Sequence, residues 1–157
     1  MNRHSEARIV PHPVEVMYAI VADVGRYPEF LPWVTSLTVK SREWIDTREM
    51  LLAEMSVGFG ALSERYTSRV MLDPERRRID VAQTDGPFRV LENHWQFTPD
   101  PKGCRVDFAI AFEFRSRLLD AIASAAFERV MLKMTGAFEA RARVLSDQAV
   151  QKREGGL

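Results

Sequence analysis

The sequence predicts an α+β domain in which a seven-stranded antiparallel sheet curves around one long C-terminal helix. Three observations carry this reading. From Ser116 to Leu145, the residues Leu119, Ala123, Phe127, Val130, Met131, Met134, Ala137, Phe138, Ala142 and Leu145 recur at steps of three and four. At 100° per residue they share one face, opposite Glu128, Arg129, Lys133, Thr135, Glu139 and Arg143. From Val34 to Phe114 the apolar period changes to two. The connections between these strands are short and rich in turn residues, so neighbours pair antiparallel. A helix of about thirty residues is a rod of about 45 Å. Its apolar stripe needs a broad partner, and the middle of the chain offers only strands. A sheet gripping one helix in this way commonly leaves a cavity between the two.

Taken in order, Glu6 to Val10 reads as a short first strand closed by Pro11 and Pro13. Pro13 to Ala22 reads as a short amphipathic helix, with Pro13 in the first turn and Val14, Met17, Tyr18 and Val21 on one face. Asp23 and Gly25 end it. The segment Arg26 to Trp33 gathers four large apolar side chains, Tyr27, Phe30, Leu31 and Trp33, around two prolines and is too Pro-rich for an ordinary helix. Such a loop either plugs a core, its commoner use, or lines the mouth of a cavity. Six strands follow, at Val34–Glu43, Arg48–Phe59, Leu62–Leu72, Arg78–Gln83, Phe88–Pro99 and Arg105–Phe114. The alternation is cleanest in the last, where Val106, Phe108, Ile110, Phe112 and Phe114 face one way. Ser116 is placed to cap the long helix, with Asp120 in its first turn. One domain is expected over 1–147, followed by a polar, frayed tail at 148–157.

Composition excludes several classes. The 22 basic and 22 acidic residues balance to a formal net charge of zero, which argues against a general polyanion or DNA binder. One cysteine, Cys104, allows neither an intramolecular disulfide nor a Cys-based zinc site. The residues Met1 to Arg8 lack an apolar h-region, and no run approaches the ~18 apolar residues of a membrane span. A cytoplasmic protein, peripheral at most to an inner membrane, is the expectation.

Candidate chemistry is sparse. His4, His12 and His94 fit no zinc spacing. Glu54 and Glu64, on adjacent strands, read as surface acids before they read as a general-acid pair. The turns Gly58-Phe59-Gly60 and Gly86-Pro87 have neither the dinucleotide-binding nor the phosphate-loop glycine spacing. Arg141 lies at an angle inside the apolar stripe and requires a partner, a polar ligand group or a path to water. The run Glu75-Arg76-Arg77-Arg78 is a solvated turn or a contact for phosphates.

Three segments carry a family resemblance. Asp23-Val24-Gly25-Arg26-Tyr27-Pro28-Glu29-Phe30-Leu31-Pro32-Trp33 resembles the "DV-x-x-YPEFLPW" signature of the coenzyme Q-binding START-domain family. The strand from Gly86-Pro87-Phe88 through Leu91 and Trp95 to Phe97 is similar to its "GPF-x-x-L-x-x-x-W-x-F" strand. Met134, Ala137-Phe138-Glu139 and Arg141-Ala142 resemble its C-terminal "M-x-x-AFE-x-RA" helix. The resemblance implies a helix-grip, START/Bet v 1-like fold of the polyketide cyclase and lipid-transport superfamily. It implies a non-enzymatic protein that holds ubiquinone or a similar polyprenyl lipid as a bound ligand, without a separate cofactor or metal, in support of respiration. It also implies an alternative, a bacterial ribosome-association toxin that blocks joining of ribosomal subunits. A cyclase or aromatase is a weaker implication, because no acid/base pair stands out. The mitochondrial members carry a transit peptide, and its absence here points to a bacterial source.

A quinone is flat, apolar and bears two carbonyl acceptors, so it calls for aromatic walls and a few donors. On that basis Tyr27, Phe30, Leu31 and Trp33 are expected to form the cavity mouth, with Leu91 and Trp95 from the opposing strand. Tyr66, Asn93 or Arg141 are the candidate donors. Met55, Phe112, Met131 and Met134 are the expected lining for the isoprenoid tail. Alternatively, the same side chains fill a solid core.

Overall fold

The period-two alternation after Val34 becomes six consecutive antiparallel strands. The computed structural model describes the backbone of residues 1–155 and the side chains of residues 1–58 and 60–149. The elements are β1 Asn2–Val10, α1 Val14–Ala22, a 3₁₀ turn Val24–Glu29, β2 Val34–Ile45, β3 Arg48–Phe59, β4 Leu62–Asp73, β5 Arg78–Asp85, β6 Phe88–Asp100, β7 Gly103–Phe114 and α2 Arg117–Gly155. They form one seven-stranded sheet in the order β1-β7-β6-β5-β4-β3-β2. The expected fold, a curved antiparallel sheet gripping the C-terminal helix, is the observed one.

Curvature has identifiable sources. Register shifts interrupt β2 against β3 at Val34/Ser36 and Val39/Ser41, β4 against β5 at Thr67/Ser68, and β6 against β7 at Phe88/Val90. Bulges of this kind bend a strand and increase its twist. At the opposite end of the sheet, Gly103 has φ +143, and a Cβ there would lie 2.3 Å from the Val10 carbonyl oxygen. Only glycine lets β7 begin that close to the end of β1.

β1 is longer than the sequence indicates. It pairs along its whole length with β7, from Asn2↔Phe112 to Val10↔Cys104. Its inward side chains are His4, Glu6 and Arg8, so it carries no apolar alternation and is a strand by pairing alone. Arg8 reaches Glu139 of α2 at 3.3 Å. The Arg26–Trp33 segment begins inside the 3₁₀ turn. There i and i+3 side chains eclipse, and Arg26 bridges Asp23 at 3.1 Å and Glu29 at 3.3 Å.

Ser116 Oγ accepts the Leu119 amide N–H at 3.3 Å, and Asp120 Oδ1 accepts that of Phe114 at 3.0 Å. The start of α2 is thus tied to the end of β7. Ala123, Met131, Phe138 and Ala142 are its buried apolar residues, and Thr135, expected on the polar face, is buried with them. The helix does not stop at Leu145, where its apolar stripe ends, and residues 148–155 are helical where a frayed tail was expected. No proline or glycine interrupts residues 146–154, which are mostly good helix formers, so backbone hydrogen bonding carries the helix past its packing. Residues 156–157 of the expected tail lie outside the described residues. No helix among the described residues is long and apolar enough to cross a membrane.

Candidate functional site

Inward side chains of six strands, β2 to β7, and the apolar stripe of α2 leave unfilled space between them. Two clusters of buried side chains flank it. One is built on Phe88, Phe112, Phe114, Leu62 and Ala123, and the larger on Trp95, Phe97, Phe108, Met131, Phe138 and α1. The cavity between them is about 190 Å³. That is below the ~300–1,000 Å³ of typical small-molecule sites. A ligand larger than a single ring must therefore shift side chains or extend outward. Met55, Met131 and Met134 all stand on the wall, and unbranched thioethers are the side chains that shift most easily.

Ten of the twelve residues expected at the site line the cavity: Tyr27, Leu31, Trp33, Met55, Tyr66, Leu91, Trp95, Phe112, Met131 and Met134. Phe30 and Arg141 do not. Phe30 packs edge-on against Phe138 at 5.3 Å, on the far side of that ring. Arg141 donates to Glu29 Oε1 at 3.1 Å and its guanidinium lies 5.3 Å from the Phe30 ring centroid. It has found a carboxylate and an aromatic face, so it turns away from the cavity.

The mouth also differs from expectation. Leu31 and Trp95 are 2% and 5% exposed and belong to the interior. Tyr27 packs on Phe138 at 5.4 Å, and its hydroxyl donates to the Val21 carbonyl. Tyr27, Phe30 and Leu31 thus act as a plug at one end, and Trp33 alone of this segment stands at an opening. The β6 bulge explains the phase that sequence left open by one residue. Because the register shifts between Phe88 and Val90, Phe88, Leu91, Asn93 and Trp95 all face the cavity. Gln83 bridges the bulge, donating to the Phe88 carbonyl at 2.9 Å and accepting its N–H at 3.1 Å.

Four polar side chains reach this apolar wall: Tyr27, Tyr66, Ser68 and Asn93. Ser68 was not singled out from sequence, although its phase with Tyr66 and Val70 on β4 was readable. It is 3% exposed and its Oγ has no hydrogen-bond partner among the described residues. Asn93 Oδ1 accepts the Trp95 indole N–H at 3.2 Å, which leaves its amide N–H₂ to donate. Among the described residues the Tyr66 hydroxyl donates to the Met55 sulfur alone, at 3.2 Å. Burial pushes the Tyr66 phenol from 10.0 up to about 12, and burial, then Asp23, pushes Tyr27 up as well. Both remain protonated donors at neutral pH. The raised value has a sign. The unfolded phenol ionises near 10 while the folded one holds its proton to about 12, so Tyr66 supports folding below pH 10 and ceases to as pH rises to 12. Denaturant melts over that window are expected to fall less steeply for Tyr66→Phe than for the natural chain.

The remaining candidates lie elsewhere. His94 faces outward and pairs with Asp80. Glu54 is bound by Lys40 at 2.7 Å on the outer face, and this hydrogen bond holds its carboxyl below the usual range. Cys104 is fully buried, and burial raises its thiol. Among the described residues no group of three His, Cys, Asp or Glu is placed to hold a metal.

Comparison with known proteins places the chain in a family. The chain is 37% identical over 152 residues to the mitochondrial coenzyme Q-binding protein COQ10 homolog B of Xenopus laevis, covering 94% of this chain and 61% of the frog protein. The present chain therefore spans about three fifths of that relative's length. It is 32% identical to the ribosome association toxin RatA of Pseudomonas aeruginosa, covering 92% of this chain and 99% of that protein. The solution structure of an 18 kDa protein of Caulobacter crescentus superposes with a TM-score of 0.79 at 37% identity, covering 94% of this chain and 99% of the other. The model of the polyketide cyclase/dehydrase and lipid transport family matches residues 10–139, and the chain belongs to that family.

Proposed function

We propose that the protein holds ubiquinone or a similar polyprenyl lipid in the cavity and acts as a non-enzymatic carrier that supports respiratory electron transport. The observation that carries this reading is the wall itself. It is apolar, aromatic and pliable, with uncommitted hydrogen-bonding groups at Ser68 and Asn93 and the weakly engaged Tyr66 hydroxyl. A buried hydroxyl without a partner is unusual in a folded protein, and a quinone carbonyl supplies the acceptor it lacks. Similarity to a coenzyme Q-binding protein over most of the chain supports the same ligand class. A cyclase would require a base or acid near neutral pH. The titratable groups on the wall are phenols displaced away from that range. Mass spectrometry of lipid co-purified with the protein from its native membranes is expected to show a polyprenyl quinone. Recovery of the protein with no lipid, from membranes rich in quinone, would reject the reading.

A second reading, ribosome association, rests on the bacterial relatives that match over nearly their whole length. The basic run that would meet RNA is already engaged. Arg76 pairs with Asp73 at 3.1 Å, Arg77 with Glu15 at 3.1 Å and Arg78 with Asp80 at 3.2 Å. Overexpression is therefore expected to leave the ratio of free subunits to joined ribosomes unchanged in sucrose gradients. A rise in free subunits, abolished by reversing Arg76, Arg77 and Arg78 together, would move the function to this second reading.

A further inference from the structure

Beside the cavity lies a groove that no expectation placed. It is about 380 Å³ and runs between α2 and the β3–β4 turn at Gly60 and Ala61. Trp33, Ala126 and Val130 line both the groove and the cavity. At steps of three and four, the outer face of α2 beside this groove presents Leu118, Ala125, Arg129, Leu132 and Lys133. Leu118 is 71% and Leu132 68% exposed, the two most exposed large apolar side chains among the described residues. Arg129 and Lys133 line the groove, and neither has an ion-pair partner among the described residues. One acid, Glu128, flanks this face four residues before Leu132. Glu128 is about a quarter turn round from Arg129, and Glu139 is held by Arg8.

We propose that this face of α2 lies on an anionic phospholipid bilayer, and that the groove is the port through which a lipid passes between bilayer and cavity. Leu118 and Leu132 seat at the level of the upper acyl chains, and Arg129 and Lys133 meet headgroup phosphates. Exposed apolar residues interleaved with cations on one helical face are what an interfacial helix requires. Nucleic acid would answer the cations but leave the leucines in water. The cavity's size points the same way: a ring fits inside and a long tail must leave, and the groove shares Trp33, Ala126 and Val130 with the cavity wall. The port half of the proposal rests on the lipid-carrier reading above. The docking half does not.

Vesicle co-sedimentation of the intact chain tests it, with phosphatidylcholine vesicles made with and without phosphatidylglycerol. Binding is expected only with phosphatidylglycerol and is expected to weaken with added salt. The pair Arg129→Glu and Lys133→Glu should reduce it about thirty-fold or more. The pair Leu118→Ser and Leu132→Ser should reduce it about ten-fold or more. Reversal of Arg76 and Arg78, at the other end of the sheet, should leave it within two-fold or so. Circular dichroism and melting confirm that each variant is folded. Absence of vesicle binding by the natural chain, or full binding by both folded α2 pairs, overturns the docking. So does binding to purified ribosomal subunits, but not to vesicles, that the Arg129/Lys133 pair abolishes. Ubiquinone offered from detergent micelles separates the two readings. Retention without vesicle binding overturns the docking and leaves the carrier. Vesicle binding without retention leaves the docking and overturns the carrier, and the port with it.

Discussion

Replacing Phe138 with alanine is expected to destabilise the protein by about 3–5 kcal/mol. For a domain of this size that lowers the melting temperature by about 6–20 °C. Phe138 is 2% exposed and sits where three aromatic side chains converge: Trp95 at 5.2 Å, Phe30 at 5.3 Å and Tyr27 at 5.4 Å. Each meets it edge-on, the arrangement favoured by the ring quadrupole and worth ~0.5–1.5 kcal/mol beyond area burial. The ring is thus the joint between the sheet, the plug and α2. Removing it frees Phe30, on which the Arg141 guanidinium rests, so the Arg141–Glu29 pair loses its support too. Chemical denaturation with matched m-values reads the cost directly. A loss below about 1 kcal/mol would mean that Phe138 is mobile cavity wall and not core.

The parts of this fold that sequence disclosed are those where one face is buried and the other wet. β7 is the clearest case. Val106, Phe108, Ile110, Phe112 and Phe114 point inward without a break, because β7 lies between two strands and under α2. The same rule fails at β1. Its inward positions are His4, Glu6 and Arg8, tolerated because the edge of the sheet lets them meet one another and Glu139. It fails again where a bulge intervenes. Val34 and Leu37 both line the cavity although three residues apart, as do Phe88 and Leu91, and strict alternation assigns one of each pair to solvent. Periodicity placed most of the wall, but it could not find the groove. That depends on which turn meets which part of α2, and Gly60 and Ala61 carry no sign of the helix they face. Arg141 was legible as an anomaly within the stripe, but its resolution lay with Glu29, 112 positions away.

Removing the uncommitted polar groups from the wall should separate stability from function. Ser68→Ala together with Asn93→Leu is expected to leave the fold as stable as before or more so. At Ser68 a buried hydroxyl without a partner is deleted, and its desolvation, ~1–3 kcal/mol, is no longer borne. At Asn93 the change leaves the buried Trp95 indole N–H without its acceptor, a cost of ~1–3 kcal/mol that offsets the gain at Ser68 and is itself offset by a better-matched apolar side chain. A quinone in this cavity loses its donors at the same time. Two hydrogen bonds at ~0.5–1.5 kcal/mol each, plus carbonyls left unsatisfied in an apolar site, predict a fall in affinity on the order of a hundred-fold. A solid core with no ligand predicts the stability change alone. Melts and ubiquinone retention measured on the same preparation distinguish the two. Ser68→Ala alone, with the Trp95 indole contact intact, guards against a repacking effect at Asn93. It should show the same direction at about a ten-fold loss. Undiminished retention in both folded variants would mean that the carbonyls of the ligand are recognised elsewhere, or that the cavity holds a lipid without them.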